Sequence, residues 1–213
     1  MPIYNTINTA NTNGGFVKVL VWKITESVAE LSHNLFLTSK SLTRLSSMKS
    51  EVHQKGYLSI RKLLLECSLL DKELVYDLNG KPFLKNGMHI SITHSHHFAA
   101  IAISNHDVGI DIEQQRLKIG KISRKFCSAE FDYLQSDKTN FIQKLTTIWC
   151  AKEAVFKIEN QKGISFKEHL AVKNFDENDD VIYTTLMFQK QNCLFEMKVT
   201  VFENFVMVYG YKI

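Results

Sequence analysis

The 213-residue chain has few of the residues that interrupt regular structure, with two prolines and nine glycines. Flexible linkers are rich in glycine, serine or proline, so we expect no long linker. No apolar run approaches the roughly 18 residues of a membrane-spanning helix, and we expect no membrane partner. The chain is instead 45% hydrophobic and 11% aromatic, which is typical of a globular protein with a buried core.

Cysteines are also few and scattered. Cys67, Cys127, Cys150 and Cys193 form no C-x-x-C pair, which argues against a zinc site or a disulfide framework and fits a reducing cytoplasm. Residues 1–15 lack the basic and apolar regions of a signal peptide, so we expect a flexible leader and a cytoplasmic protein. The net charge of +4 permits an acidic partner without requiring one.

The order of the predicted elements favours an α+β fold over alternating βαβ units. Helices precede three short strands, which we expect to form an antiparallel meander, and a similar order then recurs. This predicts two similar lobes, residues 1–105 and residues 106–213, each with helices packed on a mainly antiparallel sheet. The predicted helices are 27–36, 49–70 and 141–158, and the predicted strands are 16–24, 89–93, 98–104, 108–113 and two or three within 181–212.

Two acidic residues interrupt the apolar string GIDIE at 109–113. Asp111 and Glu113 are two residues apart, so on a strand they share one face. Mg²⁺ binds few carboxylates and completes its shell with water and substrate phosphate oxygens, and this pair could begin such a site. An isolated D-x-E pattern is more often the solvated face of an antiparallel sheet, and on this motif alone that alternative stays open.

The string WCAKEAVFK at 149–157 adds a third carboxylate on a predicted helix. Lys152, Glu153 and Lys157 share one broad helix face with two aromatic residues. Glu153 could be a metal ligand or a base, whereas the alternative is a solvated rim with a Glu153–Lys157 pair worth a few tenths of a kcal/mol. Three carboxylates brought together would repel one another unless a cation lay between them. The two strings together therefore predict a divalent-metal site that handles phosphate.

Three further features are compatible with an anionic ligand. His94 and Ser95 lie where a predicted strand meets a turn, and Lys81 lies in the turn of residues 79–82. By default each is an exposed turn residue, and otherwise a phosphate contact. The basic run Arg116–Lys125 is a solvated face by default and otherwise a docking surface for an acidic protein. No basic pattern interleaved with aromatic residues supports a nucleic-acid partner.

Taken in order, these strings resemble one family. They are similar to the ordered signature of the 4′-phosphopantetheinyl transferases, in particular the larger, single-chain, Sfp-like group. Four strings in one order are far more specific than any one of them, and the resemblance covers residues 50–170 approximately. The strings are Asn79–Pro82 (NGKP), Ile92–Ser95 (ITHS), Gly109–Glu113 (GIDIE) and Trp149–Lys157 (WCAKEAVFK), followed by Lys162–Phe166 (KGISF).

The resemblance implies a reaction and a fold. Such enzymes transfer the 4′-phosphopantetheine arm of coenzyme A to a serine of an acyl, peptidyl or aryl carrier protein and release adenosine 3′,5′-bisphosphate. Their fold is two similar α+β lobes with coenzyme A bound between them. We therefore expect a transferase of the holo-[acyl-carrier-protein] synthase type that depends on Mg²⁺, with Mn²⁺ as an alternative. It would serve fatty acid, polyketide or nonribosomal peptide biosynthesis, and a single chain with two lobes should act as a monomer.

The resemblance also implies roles for individual residues. Asp111, Glu113 and Glu153 match the positions that hold the metal. Glu153, directly or through a water, would take the serine proton, and Lys157 would stabilise charge on the pyrophosphate. The catalytic set is therefore Asp111, Glu153 and Lys157.

The implied contacts to coenzyme A come from both halves of the chain. Basic residues that the family often has some eight to nine positions before the helix arginine are replaced here by Val52 and His53 (Arg61 is the matching arginine). His53 or Lys55 could substitute for them. The positions implied to bind coenzyme A are Lys55, Lys81, His94, Ser95, Lys152 and Lys157.

Two other functions remain compatible with these residues. A non-catalytic module that binds coenzyme A or a carrier protein would keep the fold, although it has no need of three carboxylates whose burial is costly. A metal-dependent nucleotide phosphohydrolase would use the same acidic residues and release inorganic phosphate.

Overall fold

A computed structural model describes residues 3–10, 14–136 and 140–213. Contacts between Cα atoms divide the chain into two compact units, Met1–His106 and Asp107–Ile213. Each unit has an antiparallel sheet with helices packed against it, which confirms the predicted α+β class. Within the described ranges, no helix is long and apolar enough to cross a membrane.

The first unit is built on a sheet with the strand order β1-β2-β6-β5-β4-β3, in which neighbouring strands are antiparallel. Helix α3 packs on this sheet, and Leu58 and Leu64 of the helix share one core with Leu20 and Ile101 of the sheet. The elements are β1 (Ile3–Ala10), β2 (Phe16–Lys23), α1 (Val28–Ser32), α2 (Ser39–Ser47), α3 (Glu51–Glu66), a 3-10 helix (Asp71–Glu73), β3 (Leu74–Tyr76), β4 (Pro82–Leu84), β5 (His89–Ser95) and β6 (Phe98–Ser104).

The predicted flexible leader is wrong for residues 3–10, which form the edge strand β1. This strand pairs antiparallel with β2, and its side chains alternate between half-buried and exposed. Residues 1–15 are rich in asparagine and threonine, and this polar composition suggested a leader. An edge strand, however, pairs on one side only and tolerates polar side chains on its exposed face. Residues 1, 2 and 11–13 of the predicted leader lie outside the described residues.

The helices of the first unit are shorter than predicted. Ser27 caps α1, because its Oγ accepts from the Glu30 backbone N–H at 3.2 Å while Glu30 Oε2 accepts from the Ser27 N–H at 2.8 Å. The helix stops at Ser32 because the next residue has an extended backbone. The sequence prediction omits the nine-residue helix α2, whose apolar residues are Leu42 and Leu45; Thr38 Oγ1 caps it by accepting from Ser41 N–H at 3.3 Å.

The second unit is built on a sheet with the strand order β7-β11-β10-β9-β8, and its neighbouring strands are also antiparallel. Helix α5 packs across β7 and β11 and buries Ala151 and Val155 in one core with Val206 and Val208. The elements are β7 (Gly109–Gln114), α4 (Lys118–Ile122), two 3-10 helices (Ser123–Lys125 and Ala129–Asp132), α5 (Phe141–Glu159), β8 (Leu170–Val172), β9 (Val181–Phe188), β10 (Gln191–Phe202) and β11 (Phe205–Lys212).

The predicted three-strand meander is partly wrong. Strands β5 and β6 pair as expected, but β7 pairs with β11, so that Asp111 lies opposite Val208. Residues 105–108 lead from one unit into the next instead of forming a hairpin turn. The local pattern of a strand does not reveal which distant strand it joins, whereas the long helix α5 lies within one residue of its predicted bounds.

Candidate active site

The acidic residues meet where α5 packs on β7. Gly109 permits this approach, because a Cβ at this position would collide with the backbone carbonyl of Ala154. Asp111 follows on the same face of the strand, and Glu153 and Lys157 lie next to Ala154 and one turn beyond it. The close contact between β7 and α5 therefore brings the strings GIDIE and WCAKEAVFK together in one site.

Lys157 bridges the helix and the strand. Its Nζ donates to the Asp111 carboxylate oxygen Oδ1 at 2.8 Å and to the Ile110 backbone carbonyl at 2.7 Å. The Asp111 side chain is 8% exposed and the Lys157 side chain 28%, so this ion pair is largely shielded from solvent. Asp111 is thus not on a solvated sheet face, and Lys157 neutralises part of the negative charge at the site.

The Glu153 carboxyl group shows that the three acidic residues influence one another. Burial, followed by the charge of Asp111, raises the pKa of Glu153 to about 7; Lys157 acts in the opposite direction and Glu113 adds to the rise. Burial and the same two acidic neighbours also raise the pKa of the Cys150 thiol. A carboxylate whose pKa lies close to 7 is suited to general base catalysis at neutral pH.

Glu113 borders a cavity of about 220 Å³. Trp149 of α5 and Ile119 of α4 give this cavity apolar walls, and Arg116 and Lys118 add two cations. Part of the predicted basic run therefore lies beside the acidic residues.

The acidic residues have the chemistry of a Mg²⁺ site, although they are not arranged as a finished one. Carboxylate oxygens are the ligands that Mg²⁺ prefers, and a dication would relieve the repulsion from Asp111 and Glu113 that, after burial, raises the pKa of Glu153. Across residues 3–10, 14–136 and 140–213, no group of three or more His, Cys, Asp or Glu side chains is placed to hold a metal ion. The Lys157 ammonium contacts Asp111 Oδ1, so an ion that used this oxygen would first displace the lysine.

Lys152 belongs to a buried network, and the structure does not support its predicted contact with coenzyme A. Its side chain is 0% exposed, and its Nζ lies 2.6 Å from Glu130 Oε1. The same ammonium donates to the carbonyls of Phe126 at 2.7 Å and Phe166 at 2.9 Å. A phosphate contact would require all three interactions to break. The alternative prediction of a solvated lysine is equally wrong.

Four other residues that were predicted to contact coenzyme A lie in the first unit. Two of them are associated with α3, since Lys55 belongs to this helix and His94 packs against it. The His94 ring lies over Gly56, where a Cβ would come within 2.7 Å of the ring carbon Cγ. The His53 ring is 6.0 Å from the His94 ring between centroids. Lys55 Nζ instead pairs with Glu51 Oε1 at 3.0 Å.

Lys81 lies in the turn that its string predicted, whereas Ser95 is the last residue of β5 and is not an exposed turn residue. Ser95 is buried at the end of β5, opposite Phe98. Lys81 precedes β4, the neighbour of β5, and its backbone N–H donates to Asp77 Oδ1 at 2.8 Å. The NGKP string is therefore a turn held by Asp77.

The first unit contains a basic cavity of about 530 Å³ that the sequence did not predict. Arg61 lines it, pairs with Asp71 at 3.0 Å and stacks 3.5 Å from the centre of the Tyr57 ring. Asp71 offsets the charge of Arg61, and the remaining charged groups of the lining give the cavity an excess of positive charge that suits phosphate. These groups are Lys40, Arg44, Lys72 and Lys85, which the fold gathers from separate segments.

Comparison with known proteins gives the same family as the ordered strings. Residues 107–207 match the family model of the 4′-phosphopantetheinyl transferase superfamily, and all of these residues lie in the second unit. The chain is also similar to the 4′-phosphopantetheinyl transferase gsp of Aneurinibacillus migulanus, with 35% identity over 107 residues. This match covers 48% of the chain and 45% of the relative, so it spans less than half of the relative's length. The predicted resemblance is confirmed.

Proposed function

We propose that this protein transfers the 4′-phosphopantetheine arm of coenzyme A to a serine of a carrier protein. The observation that supports this most is the cluster of Asp111, Glu113 and Glu153, in which the pKa of Glu153 is raised to about 7. It lies in the unit whose residues match the transferase superfamily. Phosphoryl-type transfer depends on positioning and on neutralisation of charge, which Lys157 and a divalent cation held by these carboxylates would supply.

In the proposed reaction, the serine hydroxyl oxygen attacks the β-phosphorus of the coenzyme A pyrophosphate. The bond from this phosphorus to the bridging oxygen breaks, and adenosine 3′,5′-bisphosphate leaves with the electron pair. The serine proton passes to Glu153, directly or through a water. With a pKa of about 7, Glu153 is deprotonated in a large share of molecules at neutral pH and still basic enough to accept a proton.

Lys157 and a cation held by the acidic residues would neutralise the charge of the pyrophosphate. A Mg²⁺ or Mn²⁺ ion bound by Asp111, Glu113 and Glu153 would neutralise and polarise phosphate oxygens. Lys157 neutralises Asp111 in this structure, and on release it could donate to a phosphate oxygen instead. A carboxylate that ligates a metal is a weaker base, so Glu153 would act as the base only where it does not ligate the ion.

Separate groups would hold the two substrates. His94, Ser95 and Lys81 are the proposed phosphate contacts of coenzyme A in the first unit, and the basic cavity beside Arg61 offers further cations. The basic run Arg116–Lys125 would attract the carrier protein, since carrier proteins are acidic and complementary charge speeds encounter. We propose that the enzyme works as a monomer in the cytoplasm on acyl, peptidyl or aryl carriers.

Mass spectrometry of an unmodified carrier protein, mixed with coenzyme A, Mg²⁺ and this protein, tests the proposal. The expected result is a carrier mass gain of one phosphopantetheine arm, which a Glu153→Gln variant fails to produce. Release of inorganic phosphate without this gain would support the phosphohydrolase. Tight binding of coenzyme A or carrier that is unchanged in Glu153→Gln, without any transfer, would support a binding module.

A further inference from the structure

The basic run Arg116–Lys125 is held at its two ends by specific contacts. At one end, the Gln115 backbone N–H donates to the Asn204 carbonyl at 2.8 Å, and Asn204 Nδ2 donates to the Gln115 carbonyl at 3.2 Å. At the other end, the Phe126 carbonyl accepts from Lys152 Nζ at 2.7 Å. The residues between these two anchors include five cations and no acidic residue.

The second anchor belongs to a buried network in which each N–H group of the Lys152 ammonium has an acceptor. Lys152 Nζ uses its three N–H groups on Glu130 Oε1, Phe126 O and Phe166 O. Glu130 in turn accepts from the Val172 N–H at 2.9 Å through Oε1 and from the Ser128 N–H at 3.0 Å through Oε2. Both side chains are 0% exposed, so water does not compete for any of these bonds.

This network determines one wall of the cavity beside Glu113. Phe126 packs edge-on against Trp149 with 5.1 Å between the ring centres, and Trp149 lines the cavity. Arg116, Lys118 and Ile119 also line the cavity and belong to the segment that Phe126 terminates. The Lys152 anchor therefore fixes how the cations lie relative to α5.

We propose that Lys152 and Glu130 are a positioning pair, which holds the basic run Arg116–Lys125 against α5 so that it can dock an acidic carrier protein. The pair touches neither substrate and acts through the segment that it anchors. This inference rests on the proposed function for the identity of the partner, whereas the anchoring itself can be measured without any reaction.

The test compares a double variant with a matched control. Glu130→Gln/Lys152→Met removes both charges together, which avoids leaving one buried charge unpaired. Lys144→Met removes another lysine of α5, whose Nζ donates to the Phe175 carbonyl at 2.7 Å in a different loop. Both variants lose a lysine that ties α5 to a backbone carbonyl, but only the double variant loses the anchor at Phe126.

Steady-state kinetics should separate the two variants. In the double variant we expect the KM for the carrier protein to rise about tenfold, with kcat and the KM for coenzyme A within about twofold of the wild type. Lys144→Met should leave all three constants unchanged. A fall in kcat at constant carrier KM, or an equal effect of Lys144→Met, would overturn the proposal.

Amide hydrogen exchange supplies a readout that does not need activity. The double variant should exchange faster over residues 114–127 and 163–172, with α5 itself unchanged, whereas Lys144→Met should affect residues 173–180. Unchanged exchange over 114–127 would overturn the proposal.

If the double variant does not fold, Glu130→Asp is the alternative, because it shortens the acidic side chain by one methylene and keeps both charges. It should show the same changes in exchange and in carrier KM, but smaller ones. A folded Glu130→Asp with wild-type exchange and carrier KM would overturn the proposal. If the wild type transfers nothing, the proposed function fails, and the exchange data still decide whether the anchor exists.

Discussion

Gly109 of β7 faces the backbone carbonyl of Ala154 of α5 so closely that a methyl group has no room between them. Since the obstacle is backbone, it cannot be relieved by a change of rotamer. Gly109→Ala should therefore push the strand away from the helix and lower the free energy of unfolding by about 1–3 kcal/mol. Because Asp111 and Glu153 would then separate, the rate of transfer should fall by a larger factor than the loss of folded protein explains. Urea denaturation and carrier modification, measured on the same preparation, check this, and an unchanged unfolding midpoint would contradict it.

Glu153→Gln should separate activity from stability. The substitution removes the proposed base and one carboxylate of the cluster, so we expect transfer to fall at least about 100-fold. It also removes a partly buried negative charge that Asp111 and Glu113 repel, so the protein without divalent ions should melt at a higher temperature at pH 8. Carrier mass spectrometry and thermal melting in EDTA measure the two effects. A lower melting temperature would mean that the carboxylate stabilises the fold.

The raised pKa of Glu153 also predicts a pH dependence of stability. In the unfolded chain this carboxyl has an ordinary pKa of 4.5, and in the folded protein the pKa is about 7. Between these values the folded state holds a proton that the unfolded state has lost, so the folded state is progressively destabilised as the pH rises. We expect the wild type to lose up to about 3 kcal/mol relative to Glu153→Gln between pH 4.5 and 7 in EDTA. A stability difference that does not vary with pH would show that the Glu153 pKa is ordinary.

Lys157 should contribute to both stability and catalysis. Lys157→Met leaves the buried Asp111 carboxylate without its ammonium partner, which should cost about 1–3 kcal/mol at pH 8. As a control, Lys212→Met removes a more exposed pair with Glu159, 3.7 Å long, and should cost less than about 1 kcal/mol. Chemical denaturation compares the two variants. Equal costs would argue that the Lys157–Asp111 pair is no stronger than a surface pair.

Magnesium should bind to the folded protein in the absence of any substrate. If Asp111 is a ligand, adding Mg²⁺ should raise the melting temperature of the wild type, because a ligand that binds the folded state stabilises it. The same addition should have little effect on Asp111→Asn, and EDTA should abolish transfer by the wild type. We further expect Asp111→Ala to reduce turnover far more than stability. Equal Mg²⁺ stabilisation of wild type and Asp111→Asn would place the ion elsewhere.

The parts of the structure that the sequence predicts well are those set by local pattern. Helix α5 begins and ends within one residue of its predicted bounds. The shared face of Asp111 and Glu113 follows from strand geometry in the same way. Both predictions depend on residues that are close together in the sequence, where spacing alone decides which side chains share a face of a helix or strand.

The parts that the sequence did not predict depend on distant partners. Lys152 was expected to contact coenzyme A because its buried partner Glu130 is distant in the chain and the local string does not reveal it. The basic cavity beside Arg61 draws its cations from several separate elements. Strand β1 was missed because its polar composition hides a pairing that is made through the backbone. In each case, tertiary contact decided the outcome.

Lys152 and Glu153 are consecutive in the chain, yet Lys152 is fully buried and Glu153 belongs to the acidic cluster that we propose for catalysis. Under that proposal, the string that contains them reflects two independent requirements, one for the folding of the domain and one for chemistry. A related sequence that kept the lysine but carried another residue at the glutamate position would still fold and would still score well against the string as a whole. Such pseudoenzymes are best recognised by weighing the two positions separately.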